Sequence, residues 1–433
     1  MPLSVLRSGR KFPYISVVEV FAVRSLIGCA LVFVLSLPTR AQTLGFALAN
    51  GKSRVEFPIE VINNLVVLPV IINGQLPLKF ILDTGVRTAI LTEKAYTDIL
   101  NLSYSRHYMI SGPGGEKLID AYITNNVTLD IPPGVHGEGH AMLVLEKDYL
   151  ELRNFLGIDV HGVLGYELFS RFMVEVDYER KTLTLSRPHR FRKARKYEVL
   201  PITIEDTKPY VRARVHLNDS TFFTGKFLVD SGASHGLYVD KDSNDTIQLP
   251  PKRIHSIIGR GLGGVITGEI GRIKSITLGN FNIGDLIANF PDANSYYDTL
   301  KAARDVFRNG SIGGELLSRF NVVFDFPGER LYLRRNAQYK REFYYNMSGL
   351  TVRAKGSQLK RFEVDEVREN STAARADIQR GDIVLSVQGF KAADLTLAEI
   401  NSLFSSKPGK KIKLEIYRAG ATLRREFLLE SPI

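Results

Sequence analysis

Two short stretches of this chain end in the same way. Lys79-Phe80-Ile81-Leu82-Asp83-Thr84-Gly85 recurs as Lys226-Phe227-Leu228-Val229-Asp230-Ser231-Gly232. Each is an apolar run of strand character that stops at an aspartate, a hydroxyl residue and a glycine. Two carboxylates held in contact cannot both ionise cheaply, so they share one proton and can serve as base and acid together. One such triplet alone means little. Average composition gives about 0.2 of them by chance in a chain of this length, and Asp and Gly both favour turns. The pairing carries the signal, because a second segment repeats as well. Gly162-Val163-Leu164-Gly165-Tyr166-Glu167-Leu168-Phe169-Ser170-Arg171-Phe172 matches Gly310-Ser311-Ile312-Gly313-Gly314-Glu315-Leu316-Leu317-Ser318-Arg319-Phe320. Gly165 follows Asp83 by 82 residues and Gly313 follows Asp230 by 83.

Matched segments at matched spacing imply a duplicated lobe. After each second segment comes a hairpin pattern. Met173 to Tyr178 and Lys181 to Leu185 flank the turn Glu179-Arg180; Asn321 to Phe326 and Arg330 to Leu333 repeat the plan. Asn73-Gly74 is a hairpin turn signal just before the first aspartate strand. Both lobes read as mostly β, over 55–187 and 197–335. The run Arg187, Arg190, Arg192, Lys193, Arg195 and Lys196 joins them as a solvated basic linker. The C-terminal part differs. Asp394 to Ser405 has helical spacing, among strand-like runs at Ile383 to Val387, Lys411 to Tyr417 and Arg424 to Leu429.

An Asp-Thr/Ser-Gly loop followed by an apolar-apolar-Gly element in each half resembles the pepsin and retropepsin superfamily, and the lobe spacing suits its bacterial retropepsin-like branch. Val163-Leu164-Gly165 fits the second element well; Ser311-Ile312-Gly313 departs at its first position. The resemblance implies a mainly β, two-lobed acid-protease fold and aspartic endopeptidase activity. It makes Asp83 and Asp230 the catalytic pair. One carboxylate would take a proton from water while the other protonates the scissile carbonyl oxygen. Thr84 and Ser231 would bond across the lobe interface, and Gly85 and Gly232 would permit the tight loops. Flaps are expected at Ser111-Gly112-Pro113-Gly114-Gly115 and at Gly259 to Gly264, with Gly112, Gly114, Gly115, Gly261 and Gly263 at their tips. The second also matches G-x-G-x-x-G, but Val265-Ile266-Thr267-Gly268 continues as strand and turn, so no phosphate site is expected there. Val86-Arg87 departs from the small or hydroxyl residues usual after the triplet. An arginine near the dyad would contact substrate, shift a carboxylate or mark lost geometry. That departure is the one feature favouring an alternative, a catalytically impaired peptide-binding adaptor.

Asn370-Ser371-Thr372-Ala373-Ala374-Arg375-Ala376 through Gly381-Asp382-Ile383-Val384 resembles a bacterial PDZ domain, expected over 343–430 as an α/β unit. The resemblance implies a peptide groove between Gly349-Leu350 and the helix carrying Ile400 and Leu403, where a peptide adds as a strand.

The formal net charge is +11, and Arg7, Arg10, Lys11, Arg24 and Arg40 against Glu19 place +4 of it before an expected signal-peptide cut after Ala41. Leu26 to Pro38 is apolar but short for a membrane span. A lipoprotein-type box at Leu26-Ile27-Gly28-Cys29 and a retained anchor are the rivals to cleavage. Cys29 is the only cysteine, so neither a disulfide nor a thiol nucleophile is expected in the mature chain. The signal-peptide reading implies export to a periplasm, cell envelope or the exterior, and nucleic acid is a poor partner for such a protein. His136, Glu138 and His140 alternate, but glycines and Pro132-Pro133 beside them favour a loop; no metal or other cofactor is expected. The partners expected are polypeptide substrates and a peptide at the PDZ domain, with a monomer whose catalytic unit is pseudo-dimeric.

Overall fold

The computed structural model describes residues 44–115, 118–191, 196–293 and 306–433. The expected signal segment, with Cys29, and part of the basic linker lie outside them. Among the described residues no helix is long and apolar enough to cross a membrane.

Local sequence explains the strands that matter. Leu65–Ile72 and Leu76–Leu82 form an antiparallel hairpin. The turn between them needs left-handed backbone, and Asn73 (φ 50°) and Gly74 (φ 65°) supply it. Phe80 and Leu82 on the first aspartate strand, and Phe227 and Val229 on the second, are no more than 1% exposed. Burying such side chains fully is worth about 1.5–3 kcal/mol each.

The first lobe is built on a 9-stranded sheet. It starts ahead of residue 55: Gly45–Leu48 already pairs with Val135–Leu145. The second lobe belongs to a 13-stranded sheet that runs on into the first. The junction is made by the two repeated hairpins. Met173–Asp177 pairs antiparallel with Phe320–Asp325, placing Val174 opposite Phe324 and Val176 opposite Val322. Thr182–Ser186 and then Arg54–Pro58 flank one side, and Arg330–Arg335 and then Glu198–Glu205 flank the other. Equivalent hairpins of the two halves thus meet in one shared sheet.

The C-terminal sheet has the order Leu350–Lys355, Arg361–Val367, Ile383–Val387, Lys411–Arg418, Ala421–Leu428, with Leu350–Lys355 at an edge. Its helix runs Leu397–Phe404, shorter than the expected 394–405. Thr396 caps it, in a box with Glu399, and so stops helix from extending further back. Gly381-Asp382 does more than turn the chain. Asp382, 1% exposed, accepts from Arg418 Nε at 2.6 Å and Nη2 at 2.7 Å, a two-pronged tie between neighbouring strands.

Candidate active site

Asp83 and Asp230 follow directly on the strands Leu76–Leu82 and Phe222–Val229. Each strand is held in parallel by the short strand of the second repeat, Gly162–Leu164 in one lobe and Gly310–Ile312 in the other. The Asp83 N–H donates to the Leu164 carbonyl and the Asp230 N–H to the Ile312 carbonyl, both at 2.9 Å. The glycine that closes each repeat has no room for a side chain. A Cβ on Gly165 would lie 2.2 Å from the Val86 carbonyl oxygen, and one on Gly313 would lie 2.3 Å from that of His235. The second repeat therefore exists to clamp the loop after each aspartate.

The two loops lock together through their hydroxyl residues. Thr84 N–H donates to Ser231 Oγ at 3.1 Å, and Ser231 N–H donates to Thr84 Oγ1 at 2.9 Å. Each hydroxyl then donates onward, Thr84 Oγ1 to the Val229 carbonyl at 2.6 Å and Ser231 Oγ to the Leu82 carbonyl at 2.9 Å. All of this is buried. Thr84→Val leaves the Ser231 N–H and the Val229 carbonyl without partners, at about 1–3 kcal/mol each. A thermal melt should therefore show a loss of about 2–6 kcal/mol, with Thr84→Ser close to wild type. A valine variant as stable as the serine one would remove the grip from the account.

The lock sets the two carboxyls side by side: a Cβ on Gly85 would lie 3.1 Å from Asp83 Oδ1 and 3.7 Å from Asp230 Oδ1. Gly85 N–H donates to Asp83 Oδ1 at 2.6 Å, and Gly232 N–H to Asp230 Oδ1 at 3.0 Å. A Cβ on Gly232 would lie 2.1 Å from Asp83 Cγ, so only glycine lets the carboxyls approach. Burial pushes Asp83 up to about 8, and the negative charge of Asp230 adds to the rise. Burial raises Asp230 too, against the pull of Arg308 and Lys208. A pair with both members shifted upward and side by side holds one proton over a wide range.

Arg87 does not approach this pair. Its side chain is 72% exposed and lies 3.7 Å from Asp206 in the second lobe. The observation that could have favoured a non-cleaving adaptor is therefore missing. The Ser311 departure has a local cause as well. Its Oγ lies 3.0 Å from Nε2 of His235, which stacks on Tyr238 at 3.6 Å between centroids. Burial holds His235 down to about 3, so a neutral imidazole needs a hydroxyl partner there. Nothing in the sequence signalled this pair.

The glycine-rich segments are hairpin tips. Ser111–Gly115 follows the strand Tyr104–Ile110, and Gly261–Gly264 joins Arg253–Gly261 to Gly264–Leu278. A strand follows Gly264, as expected, with no helix to hold phosphate. The tips touch. Gly263 N–H donates to the Pro113 carbonyl at 2.9 Å, and a Cβ on Gly114 (φ +107°) would lie 2.1 Å from the Gly264 carbonyl oxygen. Gly112 packs on Leu262, where a Cβ would come within 2.7 Å of the Leu262 Cβ.

Two placements differ from expectation. The Leu397–Phe404 helix turns Ile400, 0% exposed, into the core with Leu397 and Phe404, following its 3.6-residue period. Leu403 packs against that core. Ala398, Asn401, Ser402 and Ser405 line the groove side instead. Leu350 does line it, although buried, and Gly349 (φ +81°) turns the chain into the edge strand. His136, Glu138 and His140 lie on the strand Val135–Leu145 and not in the expected loop; His136 bonds Asp130 and Glu138, whereas buried His140 pairs with Glu167 at 2.8 Å. Among the described residues no group of three or more His, Cys, Asp or Glu could hold a metal.

The aspartyl protease family model matches residues 68–168 and 213–316, one piece in each lobe, and the PDZ domain model matches residues 348–427. The chain carries a retropepsin-like aspartyl protease domain followed by a PDZ domain. No curated protein matches it. Among solved structures it is similar to basic 7S globulin from soybean, at 10% identity and a TM-score of 0.38 over 67% of this chain and 97% of that one, a likeness too low to bear weight.

Proposed function

We propose that the chain is an exported aspartic endopeptidase, in which Asp83 and Asp230 together activate one water against a peptide bond in extended polypeptide. The observation that carries this reading is the juxtaposition of two carboxyls, both raised by burial, across interlocked loops of equivalent lobes. The ionised member takes a proton from water. Its partner donates a proton to the carbonyl oxygen, and hydroxide equivalent adds to the carbon, giving a gem-diol with no covalent enzyme adduct. On collapse the carboxyl that took water's proton gives it to the leaving nitrogen, its partner takes back a gem-diol hydroxyl proton, and the C–N bond breaks. No resident metal or cofactor is needed for these steps. The touching tips at Gly112–Gly115 and Gly261–Gly264 act as flaps that must part to admit a chain and then exclude water. Export is supported by the apolar Leu26 to Pro38 stretch.

The test is a peptide-library digest with wild type and Asp83→Asn side by side, at mildly acidic and neutral pH. Fragments from the wild type alone are the expected result. No wild-type cleavage at any pH, or equal cleavage by both, would overturn the reading.

A further inference from the structure

The edge strand Leu350–Lys355 and the helix Leu397–Phe404 are the walls of the PDZ groove. A five-residue helix of the first lobe, Leu152–Leu156, packs against both. Asn154 Nδ2 donates to the Ala354 carbonyl at 2.7 Å, the kind of bond an added strand makes with an edge. Glu151 reaches to 3.8 Å from Arg353 on the same strand. At the other wall, a Cβ on Gly157 (φ +70°) would lie 2.6 Å from the Leu397 Cβ, so the lobe's backbone abuts the helix. The rest of the groove opens, past Leu350, Val352 and Asn401, into a cavity of about 770 Å³ that Phe155 also lines.

The same turn touches a flap. Leu152 and Leu156 share an apolar cluster with Leu262 of the second tip and with Val86 and Ile110. Arg260, two residues before Leu262, stacks on Phe155 at 4.1 Å. Its Nη2 donates to Asp365 Oδ2 at 2.9 Å, on the PDZ strand Arg361–Val367. Asp365 is 8% exposed and also lies 3.3 Å from Arg353. One guanidinium thus joins the flap, the first-lobe turn and the PDZ sheet, and removing it would take a cation from a buried carboxylate.

We propose that the turn Glu151–Gly157 is the resident occupant of the PDZ groove and that its seating latches the second flap. An extended polypeptide segment with a bulky apolar side chain displaces the turn: its N–H replaces Asn154 at Ala354 and its side chain replaces Phe155. Arg260 then loses its platform and the flap is freed. The groove's ligand is on this account an opener of the cleft, not a tether for substrate. Only the consequence for turnover rests on the peptidase reading; the latch is a property of the fold.

Amide hydrogen exchange over residues 257–264 of the full chain, without substrate, tests it. Asn154→Ala touches no flap residue, yet should speed exchange there by about fivefold, the worth of one hydrogen bond. Asp365→Asn should speed it by about tenfold or more. The double variant should exchange no faster than Asp365→Asn alone, since both release one latch. Unchanged flap exchange in Asn154→Ala, or additive effects, would overturn the proposal. If Asp365→Asn unfolds the PDZ sheet by circular dichroism, Arg260→Met replaces it in both comparisons and decides by the same criteria, because it leaves the Arg353–Asp365 pair intact. Absence of peptidase activity would not alter these readings.

Discussion

Asp83→Asn and Asp230→Asn are each expected to lower kcat/KM for a cleavable peptide by at least about a thousandfold. Each removes one half of a device that needs an acid and a base at once. An asparagine keeps the volume and can still accept from Gly85 or Gly232, so the loops should stay folded. The double variant should be no worse than either single one, because groups acting as a unit fail together. Melting beside turnover separates lost chemistry from lost structure. Activity within about tenfold of wild type in either single variant, with the fold intact, would dissolve the two-carboxyl mechanism.

The second large effect is on pH. Asp83 is pushed up to about 8 by burial and by Asp230, and Asp230 also moves up. In an unfolded chain both titrate near about 4. Between those limits the unfolded state sheds protons that the folded state keeps, so stability falls as pH rises. His235 acts in the opposite direction at the acid end. Folded, it is held down to about 3; unfolded, it binds a proton below about 6.5, so stability falls as pH drops through that range. Between about pH 4 and 6.5 the two effects oppose each other, and above about 6.5 the carboxyls act alone, so the melting temperature should be clearly lower at pH 8 than at pH 5. Asp83→Asn should lose less over the alkaline half, because one of the raised carboxyls is gone. Neither Val86 nor Ala233 offers a hydroxyl to favour ionisation, and Arg87 points elsewhere. The proton-sharing form should thus persist to mild pH, with peak turnover at about pH 5 or above. A peak found only well below about pH 4, or a melting temperature that climbs steadily to pH 8, would contradict these shifts.

Arg87 shows why sequence distance misleads. Four residues from Asp83, it read as a neighbour of the dyad, yet the tight Asp-Thr-Gly loop turns it outward to Asp206. Ser311 shows the converse. It looked like an imperfect copy of Val163, and it proved to be matched to His235, 76 residues away, with which it shares a hydrogen bond. The PDZ helix shows a third kind of error. Its apolar positions were legible, but Ile400 was assigned to the groove when helical phase sends it to the core.

Elements that are local or repeated could be read from the amino acids alone. Two apolar strands ending in Asp-Thr/Ser-Gly, two clamping segments, two hairpins and the Asn73-Gly74 turn are written as composition, period and copy, and strand and turn formation depends on just those properties. Which of these elements meet became visible in the folded chain. That Met173–Asp177 pairs with Phe320–Asp325 sets the lobes face to face, and it is this pairing across the repeat that brings Asp83 to Asp230. That Asn154 and Phe155 sit between the PDZ groove and Arg260 leaves no trace in spacing or motif. Such contacts join residues about a hundred or more positions apart by single hydrogen bonds and one buried ion pair, interactions that act through space and leave no periodicity behind.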